Sequence, residues 1–394
     1  MKVCFVVMKI ALKAITRRPP VILLFLLVLA VLAFAGVNRM VNRFHQQEEA
    51  LARHLYDRGM KAQSEGHPEA ALGAFRAALS YSHDNSQYEL SLARTLRDSG
   101  RTAEAETYLI RLWERTPQDG AINLALGRLF VRQNVFDKAI QYYHNAIYGV
   151  WPSDAETKRR NAQLELIEIL LQQKAYPQAQ AEIISMASAS PNDPSLRLRS
   201  ADLFIRAQDY DHALVQYQQT LRTDTHSQDA LLGAGQASFQ LGRFRTAQGY
   251  LQEAVRADPQ NVSAKRLLET AGRVLELDPF APRISDAERN RRLLAAFLSA
   301  GDRLDSCAQS RGIDLSGQSS SDDLPHLKAR WLEMKPKLSS LSGRHSDSPD
   351  QHLPDELMNL AYSIEQQTEL VCGTPEGPDQ ALLLLSQDHA GVER

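Results

Sequence analysis

Alanine returns at a fixed interval along this chain, and that interval limits what it can fold into. Ala71, Ala105 and Ala139 are 34 residues apart, and so are Ala179, Ala213 and Ala247. Forty residues separate Ala139 from Ala179, so a six-residue insertion interrupts the register once. A 34-residue period is the length of a helix-turn-helix unit whose apolar face is buried only when copies of the unit stack on one another. Such an array lengthens without enlarging its core, which suits a chain of 394 residues.

Aligning the chain on these alanines gives repeats at 52–85, 86–119, 120–153, 160–193, 194–227 and 228–261. Four residues after each alanine comes Phe75, Leu109, Tyr143, Ile183, Tyr217 or Leu251, and three further on come Ala78, Leu112, Ala146, Met186, Thr220 and Ala254. That spacing is one face of a helix. The preceding helix carries Gly59, Ala93, Gly127, Ile167, Ala201 and Gly235 at one repeat position, mostly small, so that two helices can approach closely. Turn signals such as Glu65-Gly66-His67 and Ser99-Gly100-Arg101 separate the helices, and Pro117, Pro191 and Pro259 close their repeats.

These residues resemble the tetratricopeptide repeat over 52–261, about half the chain. Two features depart from its pattern: the closing proline is missing in repeats 1 and 5, and Ile167 stands at the small position of repeat 4. The resemblance implies an all-α solenoid of about six repeats. It also implies a groove lined by positions 2, 5, 9, 12 and 13 of each first helix. Position 5 supplies Leu90, Leu124, Leu164, Leu198 and Leu232, an apolar stripe. Position 9 supplies Arg94 and Arg128, positions 12 and 13 add Arg97 and Arg132, and Arg206 lies further along. Leucines flanked by arginines suit a peptide with apolar anchors and acidic side chains or a terminal carboxylate. Family members that bind chaperones clamp a carboxylate with lysine and asparagine at positions 5 and 9. Leucine and arginine stand there in this chain, so that partner class is not supported. The alternative is that the leucines are core and the arginines a solvated face.

Val21 to Val37 is an uninterrupted apolar run, about 25 Å long as a helix and near the lower limit for a bilayer. Lys2, Lys9, Lys13, Arg17 and Arg18 precede it. This basic excess places 1–20 in the cytoplasm, 21–37 in the membrane as a single-pass anchor, and the repeats on the extracytoplasmic side. Residues 38–51 read as a linking helix that runs into repeat 1. The rival reading is a signal peptide cleaved between Ala35 and Gly36, where Ala33-Phe34-Ala35 fits a small-residue site, with the mature chain secreted.

Val262 to Leu277 reads as a lone helix capping the open end of the array, giving a repeat domain over 52–277. Residues 278–394 form a helical carboxy-terminal region with linkers. There, Ser285 caps a helix through about Gln309, with Glu288 at capping-box spacing. Gly312–Asp323 and Ser342–His352 are Ser/Asp/Gly-rich linkers, and helices are expected near 324–341 and 354–371. The Leu382–Leu385 run is too short for a span and is expected to pack on these helices. Cys307 and Cys372 would share an oxidising compartment, where a disulfide between them is plausible; two unpaired buried thiols are the alternative.

No motif of catalytic or metal-binding spacing is present: no phosphate loop, no His-Glu-x-x-His, no Cys-x-x-Cys, and scattered histidines. Gly233, Gly235 and Ser238 partly echo a dinucleotide loop but fall inside a repeat helix, where close packing explains them. Neither a cofactor nor a metal is expected. Lys and Arg total 45 against 47 Asp and Glu, which gives no argument for nucleic acid as a partner, and none is expected. The expectation is a non-enzymatic scaffold that binds protein or peptide partners. An envelope chaperone for exported unfolded chains is one alternative. An enzyme acting on cell-wall polymer, its site in 278–394, is the other.

Overall fold

The computed structural model describes residues 19–189, 193–316, 323–342 and 352–392. The basic segment ahead of residue 19, Pro191, half of the Gly312–Asp323 linker and most of the Ser342–His352 linker lie outside the described residues. Among the described residues all regular structure is helical. The chain forms two compact units, 1–166 and 167–394.

A long first helix, α1 (Pro19–Ser64), carries the apolar run and continues without a break into the first helix of repeat 1. From Leu24 it is long and apolar enough to cross a membrane, and none of its apolar window is buried in the protein. Helix pairs then follow in the register that the alanines set. Repeat 1 is completed by α2 (Pro68–Tyr81), repeat 2 is α3 (Ser86–Asp98) and α4 (Thr102–Arg115), and repeat 3 is α5 (Gly120–Arg132) and α6 (Phe136–Ile147). Repeat 4 is α7 (Ala155–Gln172), which contains the boundary between the units, and α8 (Tyr176–Ala189). Repeat 5 is α9 (Pro194–Arg206) and α10 (Tyr210–Thr223), and repeat 6 is α11 (Gln228–Gln240) and α12 (Phe244–Ala257).

All six register alanines are completely buried, and the large side chains four residues on, from Phe75 to Leu251, are buried beside them. Helix starts are fixed by side chains that accept from orphan backbone N–H groups: Asn85 from Gln87 and Tyr88, Asp119 from Ala121 and Ile122, and Asp193 from Ser195 and Leu196. Asp119 lies two residues after Pro117, so proline follows the end of α4 and the capping residue begins α5. The six-residue insertion, 154–159, lengthens α7 at its start, where Arg159 donates to the Gly149 carbonyl at 3.0 Å, and the turn just before it is tied down as well. Val150 accepts from Gly120 N–H at 2.9 Å and donates to Gln118 at 2.7 Å, and Trp151 Nε1 donates to Ala146 at 2.9 Å.

In the second unit α13 (Val262–Leu277) follows repeat 6, capped by Asn261, and leads to α14 (Asp286–Arg311). Ser285 Oγ accepts from Glu288 N–H as the capping box requires, while the Glu288 carboxylate engages Arg291 and Arg292. Arg292 also donates to Leu275 and Asp278 carbonyls, both at 2.9 Å, fastening α14 to the end of α13. After α14 come α15 (Leu324–Met334), a 3-10 turn, the short α16 (Leu338–Ser342), α17 (Leu353–Cys372) and α18 (Gly377–Val392). The expected break at residue 278 is not a break in the core. Phe239 and Leu251 of repeat 6, Val274 of α13, Leu293 of α14, Tyr362 of α17 and Leu382 of α18 belong to one buried cluster. The Leu382–Leu385 run therefore packs on the capping helix as well as on the carboxy-terminal helices. Cys307 and Cys372 form a disulfide with Cα atoms 5.9 Å apart, joining the end of α14 to the end of α17.

Candidate binding face

The candidate residues of the first unit sit on the first helices of repeats 2, 3 and 4. Helix α3 places Arg94 and Arg97 about one turn apart, and α5 places Arg128 and Arg132 four residues apart, so each pair shares a face. The helices pack closely enough for the pairs to meet. Arg132 donates to the Arg97 carbonyl at 2.6 Å, and Arg94 reaches the Ala121 carbonyl at 3.4 Å.

The four guanidinium groups differ in what neutralises them. Arg128 donates twice to Glu165 of α7, from Nε at 2.8 Å and from a terminal nitrogen at 2.5 Å, and Tyr143 Oη donates to the same carboxylate at 3.0 Å. The Glu165 bond holds the Arg128 guanidinium above the usual arginine range. Arg97 pairs with its neighbour Asp98 at 2.8 Å, yet one of its terminal nitrogens is buried without a hydrogen-bond partner. Among the described residues Arg94 has no carboxylate within ion-pair distance, and its Nε is likewise buried without a partner. Burial first, then repulsion from Arg128 and Arg97, pulls the Arg94 guanidinium below the usual arginine range. At the edge of the face Tyr56 Oη lies 3.1 Å from Ser91 Oγ, and buried Glu89 is paired with Arg115.

None of the leucines is fully exposed, and Arg97 is nearly as closed off as the most buried of them. Leu124 and Leu164 are buried at 7% and 8% exposure, and Leu90 is half-buried against the core of the first unit. In the second unit Leu198 is half-buried, and Leu232 packs against two core clusters. Arg206 is paired there with Glu168 through two bonds of 2.6 and 2.7 Å, which lowers the carboxyl and raises the guanidinium.

Sequence reasoning found the arginines and missed the carboxylates. Glu165 is at position 6 of repeat 4, close in register to Arg128 at position 9 of repeat 3. Opposite charges at neighbouring register positions were the available signal, and the six-residue insertion obscured it.

The tetratricopeptide repeat models match residues 62–129 and 204–270 in one form and 124–194 in another. Together they span just over half of the chain. No curated protein matches. Among solved structures, a tetratricopeptide repeat protein of Parabacteroides merdae is 13% identical at a TM-score of 0.37, covering 79% of this chain and 99% of its own. The C-terminal part of a repeat-containing protein of Cytophaga hutchinsonii is 13% identical at 0.43, covering 60% and 92%. YrrB, described as a repeat protein with an unusual peptide-binding site, is 16% identical at 0.38, covering 50% and 98%.

Proposed function

The chain belongs to the tetratricopeptide repeat family, and from that premise we propose that it is a non-catalytic scaffold that captures polypeptide partners through the Arg94 face. One observation carries this reading: Arg94 is a half-buried cation beside Arg97 and Arg128, with no ion-paired carboxylate among the described residues. A partly desolvated cation without a paired carboxylate is costly, and an arriving carboxylate would relieve it with a charge-assisted hydrogen bond to the guanidinium. Half-buried Leu90 would supply the adjoining apolar contact. The partner is a peptide carrying an acidic side chain or a terminal carboxylate next to an apolar residue.

In this reading residues 52–277 are the binding array, and 278–394 cap it and extend its core. The apolar part of α1 anchors the chain in the cytoplasmic membrane, with the repeats on the extracytoplasmic side. The basic residues before the span support that orientation. The disulfide supports an oxidising compartment for the second unit.

The test is in-cell photocrosslinking from Gln87, an exposed residue one turn before Leu90 and two turns before Arg94. Capture of one defined polypeptide, lost on Arg94→Met, is the expected result. Equal capture with and without Arg94 would move the binding surface elsewhere. Indiscriminate capture of many unfolded chains would make the protein a holdase instead.

A further inference from the structure

Between the apolar run and repeat 1, α1 carries a seam that nothing in the described chain covers. Val37, Phe44 and Leu51 are seven residues apart, with Met40 and Gln47 three residues after the first two, which is the a/d spacing of a coiled coil. The four apolar members are exposed to between 42% and 76%. Asn38, Arg39, Asn42, Gln46 and Glu49 take the opposite side, so this stretch is two-faced although the run before it is apolar all round. The first completely buried residue of the described part of α1 is Ala52, which packs with Ala78 and Tyr88 of the repeats. The same register runs back through Ala33, Ala30 and Leu26, where small residues permit close helix approach.

The charges beside the seam select its occupant. With Val37, Phe44 and Leu51 at a, Arg43 falls at g and Glu48 at e of the following heptad. In a parallel pair of identical helices the g residue meets the e residue five positions on in the partner, so Arg43 faces Glu48 twice by symmetry. An antiparallel pair sets g against g and e against e, which places like charges together. Within one chain Glu48 has only His45, 3.5 Å away, among the ion pairs of α1 ahead of repeat 1.

We propose that α1 pairs in parallel with the α1 of a second copy of this chain along Val37, Met40, Phe44 and Leu51, locked by reciprocal Arg43–Glu48 ion pairs. Each subunit would then present its own Arg94 face, so that one assembly engages two partner segments. The pairing stands on residues 37–51, which persist whether the apolar run is kept as an anchor or removed after Ala35.

The experiment uses the full chain carrying Cys4→Ser, in native membranes or as the secreted form, with Phe44→Cys on the seam or Asn42→Cys on the opposite side. Mild oxidation and non-reducing electrophoresis should give a covalent dimer from Phe44→Cys, at least tenfold more than from Asn42→Cys. Arg43→Glu should reduce the Phe44→Cys product severalfold, and Glu48→Arg added to it should restore the yield. Equal crosslinking from both cysteines, or none from Phe44→Cys, overturns the seam; the second outcome is that of a lone helix lying in the membrane interface. Failure of the charge reversal to restore the product overturns the parallel register. Both substituted positions are exposed, so folding does not confuse the readout.

Discussion

Arg128 and Glu165 are joined by two hydrogen bonds across successive first helices, whereas Arg94, beside them, has no ion-paired carboxylate among the described residues. Side chains that look equivalent in the repeat alignment thus have different roles. Arg128 helps hold repeat 3 to α7, and Arg94 is left for a ligand.

Arg94→Met should leave the thermal midpoint unchanged or raise it, because it removes a half-buried, like-charged neighbour of Arg97 and Arg128 without breaking an ion pair. It should weaken partner capture at least tenfold, about 1.4 kcal/mol. Arg128→Ala should instead lower stability, by roughly 1 kcal/mol or more, because Glu165 loses its cation. Melting curves and capture measured on the same two proteins check this. A binding defect equal in both, with neither destabilised, would contradict the division of roles.

Gly127 faces the ring of Tyr143, and a Cβ placed on it would lie 2.9 Å from that ring. Gly127→Leu should push Tyr143 away, cost its bond to Glu165 and destabilise the first unit by about 1–3 kcal/mol or more. Gly233 stands tighter still against Tyr217. A denaturant titration of Gly127→Leu that matches the parent would show that α5 and α6 do not meet as described.

Glu365 should make the second unit sensitive to pH. Its carboxyl on α17 is completely buried and both oxygens lack hydrogen-bond partners. Burial first, then Asp379 of α18, pushes it up to about 8, against the opposing pull of Arg303 of α14. The folded chain therefore holds a proton that the unfolded chain has released between roughly pH 4.5 and pH 8. Stability should fall as pH rises through that window, by on the order of 1 kcal/mol per unit, and level off above it. Glu365→Gln should flatten the profile, as read from urea midpoints at pH 5, 6.5 and 8. A parent whose midpoint rises with pH over this range, and keeps that slope in the variant, would refute the assignment.

Reduction of Cys307–Cys372 should loosen the carboxy-terminal helices. The bond closes a loop of sequence separation 65, for which the chain-entropy model gives about 4 kcal/mol. The effect should reach Trp331, which shares a buried cluster with Cys307. Hydrogen exchange in α14 and α17, with and without reductant, measures it. Unchanged protection there, with thiol labelling confirming reduction, would show that the apolar cluster alone suffices.

A cytoplasm-dependent reporter fused after Leu341 should be silent if the repeats lie outside the membrane. Activity would reverse the orientation, and recovery of a soluble chain beginning at Gly36 would establish cleavage.

The sequence by itself determined the repeat register, the buried alanines and their large neighbours, and the apolar character of α1. Each of these is a local pattern: a helix buries one stripe, so its period is written in residue types a few positions apart, and copies of the pattern reinforce it. Only the tertiary structure decided that Arg128 is neutralised by Glu165, that Leu124 and Leu164 are closed off while Leu90 and Leu198 are not, and that α18 shares a core with repeat 6. Those outcomes depend on which side chains meet across separate helices. The meeting distance is set by packing across helices, which has no period along the chain; the spacing shows the six-residue insertion but not which side chains it brings together.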